Sequence, residues 1–301
     1  MTSDVLVSVI VPVYKGMAVL PHCLDALGRQ TYSPFEVIVV DNGANEGIEE
    51  VCGQYPDIRL YRHGNPGSYS ARNAGIRIAR GEIIAFTDAD CVPVPDWLRN
   101  GVEGMCTAGC RMGSGRITPR FLQEEQPGLI ELCDAILHTM DQEQSLREVT
   151  SVACANLFVC RSLFDSTGLF NSALYSAGDC EFTYRVRRQG ERIVYIDTAV
   201  VRHFARRTLQ DLALRYRRFA GAEFTAMTTN KRDDTVNKLR SLTLPYRFKL
   251  CIRNIAGGVK KYTRRKNPVV LTAALLAVES YITVVKLIEY ARLSLGAKMH
   301  R

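Results

Sequence analysis

The sequence predicts an α/β fold, a mostly parallel sheet flanked by helices, followed by a helical and basic C-terminal extension. Three observations carry this. Residues 5–13 (Val-Leu-Val-Ser-Val-Ile-Val-Pro-Val), 35–40 and 83–86 are short, almost continuously apolar runs, the pattern of strands buried on both faces. Helical spacing between the runs gives strand, helix, strand with short links, so right-handed parallel crossovers are the default. Two of the runs lead into carboxylates, Asp41 and the pair Asp88 and Asp90. Those acids fall at the carboxyl edge of the sheet, where open α/β folds bind ligands.

In chain order, residues 17–30 put Leu20, Leu24 and Leu27 on one helical side, 47–55 form a second helix and 58–61 a short strand. A loop with Gly64, Pro66 and Gly67 precedes a helix over 70–79. The next strand runs into Asp88-Ala89-Asp90, whose hard oxygens can share a divalent cation with a substrate phosphate. The alternative is a solvated turn, for which Asp is an ordinary residue. Val92 and Pro93 exclude an EF-hand loop. Between 92 and 150 the alternation stops: 128–147 reads as helix, Gly113-Ser114-Gly115 as loop, and Trp97, Met105 and Met112 as packing. Ser151 to Val159 reads as strand, 161–167 as a helix stopped by Gly168, and Ser176 to Glu181 as the opening of a helix to about Gln189 with Gly190 as its cap. A strand from Ile193 to Val201 is followed by His203, then by helices over 209–228 and 267–295.

The net charge of +8 is uneven, because residues 202–266 hold eighteen Lys and Arg against four acids, +14, which leaves −6 for the remainder. Such a segment faces something anionic. Phe204, Tyr216, Phe219 and Phe224 interleave with it, but no nucleic-acid module accompanies them, so no nucleic-acid partner is expected. The ten cysteines contain no C-x-x-C pair and read as buried thiols of a reducing compartment. Asp4 and a short β-branched run do not make a signal peptide. In the last helix Thr272, Glu279, Thr283 and Lys286 form one narrow polar stripe. Twenty helical residues would reach about 30 Å, enough to span a bilayer, yet Glu279 and Lys286 argue against a lipid-exposed span. Lys260, Lys261, Arg264, Arg265 and Lys266 just before it would attract anionic headgroups. The expectation is a cytoplasmic protein, peripheral on the cytosolic membrane face; the competing account is a homodimer through the C-terminal helix.

Six stretches together resemble the family 2 glycosyltransferases, inverting enzymes of the GT-A fold that use nucleotide-activated sugars. They are Val9 to Tyr14, Glu36 to Gly43, Ala71-Arg72-Asn73-Ala74-Gly75, Gly81 to Cys91, Ala155-Asn156-Leu157 with Arg161, and Gly178 to Phe182 with Arg185, in the family's order over about residues 7–204. The resemblance implies a GT-A domain over 1–204, with a nucleotide-sugar half near 1–100 and an acceptor half near 101–204, and a separate region at 205–301. It also implies roles. Asp41 would hydrogen-bond the nucleotide base in a pocket formed with Pro12 and Tyr14, Arg72 and Asn156 would lie at the nucleotide-sugar, and Asp88 would contact ribose or metal. Asp90 would ligate Mg²⁺ or Mn²⁺, with His203 as a late metal or diphosphate ligand. Asp179 would be the general base, although Gly178 replaces the customary Glu before it and leaves Glu181 as the alternate. Ala44 stands where Ser is usual.

The implied reaction is inverting transfer from a nucleotide-diphosphate donor, UDP by family habit, to a glycan or lipid-linked acceptor hydroxyl in cell-surface polysaccharide or glycolipid synthesis. The alternatives are a nucleotidyltransferase, which lacks the Gly-rich loop it would need between Val13 and Leu20, and a non-catalytic sugar-nucleotide or nucleic-acid binding protein. As a plain N-cap, Asp179 would need no catalytic role at all.

Overall fold

The computed structural model describes residues 5–43, 45–148, 152–228, 254–262 and 265–299. Asp4, Ala44, Ser151, Arg264 and the stretch 229–253 lie outside the described residues. The chain forms two compact units, residues 1–118 with 140–203, and residues 119–139 with 204–301.

In the first unit β1 (Val7–Val13) pairs in parallel with β2 (Phe35–Asp41) and β4 (Ile83–Thr87), and β2 with β3 (Ile58–Arg62). Both sheet faces are covered. Val7, Val9, Val11 and Val13 share a core with Leu20, Leu24 and Leu27 of α1 (Leu20–Gly28), while Ile10, Ile38 and Val40 join Tyr69, Ala71 and Ala74 of α3 (Ser68–Ile78). That two-sided burial is why these strands read as unbroken apolar runs. Helix α2 (Ile48–Gly53) links β2 to β3.

One buried polar pair interrupts the pattern. Ser8 and Glu36 face each other in the β1–β2 register; Ser8 Oγ donates to Glu36 at 2.7 Å and accepts from the Gly81 amide at 2.8 Å. Glu36 also accepts from the Arg80 amide (2.7 Å) and from Arg59 Nη1 (2.8 Å). Burial alone would raise its carboxyl, but the bonds from Ser8, Arg80 and Arg59 outweigh it and hold the pKa at about 2.

Beyond β4 the sheet turns antiparallel, in the order β3-β2-β1-β4-β7-β6-β8-β5. Strand β7 (Asn156–Cys160) runs against β4, β6 (Met112–Arg120) against β7, and β5 (Cys91–Pro93) against β8 (Ile193–Phe204). The Gly113-Ser114-Gly115 stretch, expected as loop, is therefore strand. Its glycines serve close approach: a Cβ on Gly115 would lie 2.2 Å from the Ala199 carbonyl oxygen and 2.4 Å from Asn156 Nδ2. Helix α4 (Trp97–Ala108) precedes it, and Trp97 is fully buried, as its reading as packing requires. Helices α7 (Arg161–Thr167) and α8 (Gly178–Arg188) complete this unit, each followed by a glycine in the left-handed region, Gly168 at φ 80° and Gly190 at φ 82°. The expected helix over 128–147 is two, α5 (Leu129–Leu137) and α6 (Gln142–Glu148), and α5 belongs to the second unit.

The second unit packs α5 with α9 (Leu209–Thr228) and α10 (Pro268–Ser294), with a helical stretch at 254–262. Leu132 and Ile136 meet Leu212 and Tyr216, and Leu271, Leu275, Val278 and Ile282 line the α10 side of the same core. Asp134 on α5 is buried and pairs with Arg215 on α9, while its other oxygen accepts the Arg206 amide at 2.7 Å.

Candidate active site

The expected site residues collect at the carboxyl ends of β1, β2 and β4. Asp41 closes β2, Asp88 follows β4, and the loop after β1 runs between them: Tyr14 lies against Gly43, and Gly16 against Ala89. Tyr14 is 44% exposed and Pro12 partly so. Asp41, at 1% exposure, is already engaged. Its Oδ1 accepts from the Gly43 amide (3.1 Å) and Asn45 Nδ2 (2.7 Å), and its Oδ2 from Arg62 (3.0 Å). In this arrangement Asp41 holds Gly43 and Asn45.

On α3, Arg72 is 5% exposed and pairs with Asp88, and its guanidinium lies 5.5 Å from the centre of the Tyr69 ring. Burial would lower the Arg72 pKa, but the acidic groups around it, Asp88 foremost and Asp179 among them, together outweigh burial and the group stays cationic. Its Nε is buried with no hydrogen-bond partner among the described residues. An orphaned guanidinium donor beside an acid at a sheet edge is suited to an anionic ligand.

Asp90 lies two residues beyond Asp88, and the β5–β8 register sets Cys91 opposite His203. Ligand atoms of Asp90, Cys91 and His203 all fall within 4.8 Å of one another, with His203 Nε2 3.5 Å from Asp90 Oδ2. Two donors each about 2.1 Å from one small divalent ion stand at most about 4.2 Å apart, and the Asp90–His203 separation falls inside that limit. Burial, then the charges of Asp90 and Asp88, push the Cys91 thiol well above its usual range, so it remains neutral. Of these side chains the carboxylate and the imidazole are the donors that suit Mn²⁺, and the carboxylate suits Mg²⁺, whereas a thiol is the soft ligand that neither ion prefers. Asp88, two residues before Asp90, is held by Arg72.

Asp179 is in the first turn of α8. Both of its side-chain hydrogen bonds fall on Oδ1, from the Tyr69 hydroxyl and the Cys180 amide, each at 3.0 Å; among the described residues none reaches Oδ2. Glu181 differs. Arg185 grips both its oxygens, Nε to Oε1 at 2.6 Å and Nη2 to Oε2 at 3.0 Å. Asn156, expected at the nucleotide-sugar, is fully buried. Its Oδ1 accepts from Trp97 Nε1, and its Nδ2 donates to the carbonyls of Arg116 and Ala199, all at 2.8 Å. These bonds tie β7 to α4, β6 and β8, a structural role for Asn156. Tyr69 and Cys91 were not singled out from the sequence; Tyr69 falls there just ahead of the helix expected over 70–79.

The family model described as Glycosyl transferase family 2 matches residues 8–166. Glycosyltransferase AglE of Haloferax volcanii is 34% identical over 214 residues, covering 68% of this chain and 69% of that protein. Several other relatives match over only about a quarter of their own length. Among solved structures, the mannosyltransferase PcManGT from Pyrobaculum calidifontis, in complex with GDP-Man and Mn²⁺, aligns with TM-score 0.57 and 20% identity over 96% of this chain and 86% of that one. S. aureus TarS 1–349, in complex with UDP-GlcNAc, aligns with TM-score 0.54 and 15% identity over 97% of this chain and 92% of that one. These likenesses support the GT-A fold. With its α/β sheet, the match over residues 8–166 and the similarity to AglE, the chain belongs to family 2 of the glycosyltransferases.

Proposed function

We propose that this glycosyltransferase moves a sugar, with inversion, from a nucleotide-diphosphate donor to an acceptor hydroxyl, with Asp179 as the base. The observation that carries the assignment is the contrast between the two candidate acids: Asp179 keeps Oδ2 open while Arg185 holds both oxygens of Glu181. During in-line attack the acceptor oxygen bonds the anomeric carbon, its proton passes to Asp179, and the bond from that carbon to the diphosphate breaks, releasing the nucleoside diphosphate. Asp90 and His203, with Asp88 beside them, would hold Mg²⁺ or Mn²⁺, which when bound supplies Lewis-acid stabilisation of the leaving diphosphate. The buried Arg72 would add a fixed positive charge on the donor side. Pro12, Tyr14 and Asp41 border the nucleoside end. UDP is the proposed nucleotide and a glycan or lipid-linked hydroxyl the proposed acceptor, in polysaccharide or glycolipid synthesis.

Donor turnover measured with UDP- and GDP-sugars, with and without chelator, tests the reading. Asp90→Asn is expected to remove most turnover and leave the fold intact. Full activity of Asp90→Asn, or of the wild type in EDTA, would overturn the metal role.

Peripheral attachment to an anionic bilayer belongs to the same proposal. Helix α10 is about 40 Å long and is long and apolar enough to cross a membrane. Its charges, however, turn toward its own unit: Lys286 pairs with Glu223 of α9 at 2.6 Å, and Glu289, 1% exposed, with Arg292. Val269, Val270, Leu276, Val284, Leu287 and Ile288 are each more than half exposed on the other side. Lys260, Lys261, Arg265 and Lys266 precede the helix. An apolar face and a basic patch are two attachment signals, sufficient for binding the bilayer surface without crossing it.

A further inference from the structure

Tyr69 lies outside the carboxylate motifs, yet the structure builds it into the turn that presents Asp179. Its hydroxyl donates to Asp179 Oδ1 at 3.0 Å. Its ring leaves no room for a side chain at position 178, since a Cβ on Gly178 would stand 2.7 Å from two of the ring carbons. The preceding Ala177 holds a left-handed conformation, φ 61°, in which a non-glycine residue is uncommon. The ring is fixed by Phe170, with centroids 5.8 Å apart, and by the Arg72 guanidinium at 5.5 Å, and Arg72 in turn pairs with Asp88. A continuous set of contacts therefore runs from Asp179 through Tyr69 and Arg72 to Asp88.

We propose that Tyr69 is a positioning residue for the base carboxylate: its phenol holds Asp179 through Oδ1, leaves Oδ2 for the acceptor proton, and ties the base to the donor-side Arg72–Asp88 pair. The inference rests on Asp179 being the base. Tyr69 is 5% exposed, and burial, then the Asp179 charge, push its phenol well above the usual tyrosine range. It therefore donates throughout the working pH range and does not itself take the acceptor proton. A core aromatic residue would need the ring alone; this role needs the hydroxyl.

Tyr69→Phe separates the two, because it keeps the ring, the Gly178 contact and the Arg72 stacking. Losing a hydrogen bond to a charged group should lower kcat by about tenfold or more, with the donor KM within about twofold. Combined with Asp179→Asn, the same change should cost nothing further in residual rate. Gly178→Ala, which displaces the ring, should reproduce the loss. Wild-type kcat in Tyr69→Phe would overturn the proposal while leaving Asp179 as the base. A raised donor KM at unchanged kcat would also overturn it, by assigning Tyr69 to Arg72 and the donor. If Asp179→Asn alone keeps full turnover, the base assignment fails, and this inference with it.

Discussion

Asn156→Ala tests whether the buried amide is a structural bolt or a donor contact. Its three bonds, each 2.8 Å, serve Trp97 Nε1 and the carbonyls of Arg116 and Ala199 inside a fully buried site. Truncation strands one buried N–H and two carbonyls, and each buried group left unsatisfied costs about 1–3 kcal/mol. The carbonyls belong to strands and can recover part of that loss, so we expect a destabilisation of about 3–5 kcal/mol. That is a large fraction of the roughly 5–15 kcal/mol that holds a typical domain. Trp97 is the only tryptophan in the chain, so its fluorescence in a urea titration reports from the affected bond itself. The donor KM, measured at low temperature where the variant is folded, should stay within about twofold of wild type. A stability loss under about 1 kcal/mol together with a KM raised tenfold or more would refute the reasoning and return Asn156 to the donor.

Three further outcomes are expected. Asp179→Asn should retain donor binding but lose about 10²-fold in kcat, whereas Glu181→Gln should keep turnover and lose only the Arg185 pairing; steady-state kinetics giving the reverse would move the base to Glu181. Glu36 has a folded pKa of about 2, below its unfolded value, so its contribution is fully present above about pH 4.5 and fades as pH falls toward 2. With exposed Arg59 and Arg80 screened by solvent, that contribution is on the order of 1–3 kcal/mol, and Glu36→Gln should flatten the unfolding free energy between pH 5 and 3; parallel slopes in the two proteins would contradict it. The full chain should sediment with anionic vesicles at low salt and release at high salt, and Leu276→Glu with Leu287→Glu should abolish the binding. Wild-type protein left in the supernatant at low salt, with self-association seen by analytical ultracentrifugation, would assign the α10 face to a second copy instead.

The parallel half of the fold was legible because burial on both faces leaves a simple mark, a run of apolar residues that ends where the sheet meets the ligand edge. Ile83 to Asp90 carries both parts of that mark within eight residues. The antiparallel half was legible only in part: β7 and β8 fall on stretches that read as strands, whereas β5 and β6 do not. Gly101 and Gly104 dilute the helical pattern of α4, and Gly113 and Gly115 give β6 the composition of a loop, because strands, rings and carbonyls press on them from elsewhere in the chain. In the site, Asp88, Asp90, Asp179 and His203 stood out as charged or titratable residues at element ends. Tyr69 and the true partners of Asn156 did not, since their roles come from contacts across long sequence separations. The polar stripe of the last helix was visible, but the direction its charges face depends on Glu223 of α9, which no periodicity within α10 reveals.

The pairing of β5 with β8 also has a bearing on how the enzyme comes into being. His203 reaches Asp90 from more than a hundred positions downstream, through a short three-residue strand at the edge of the sheet. A nascent chain can form the β1–β2–β4 layer while the ribosome is still far from residue 203, so the parallel strands precede the carboxylate–imidazole pair. Premature release products that stop before β8 would retain much of the parallel layer while lacking His203. Acquisition of that pair thereby coincides with near-completion of the catalytic unit, an order that keeps half-made chains from presenting the whole site.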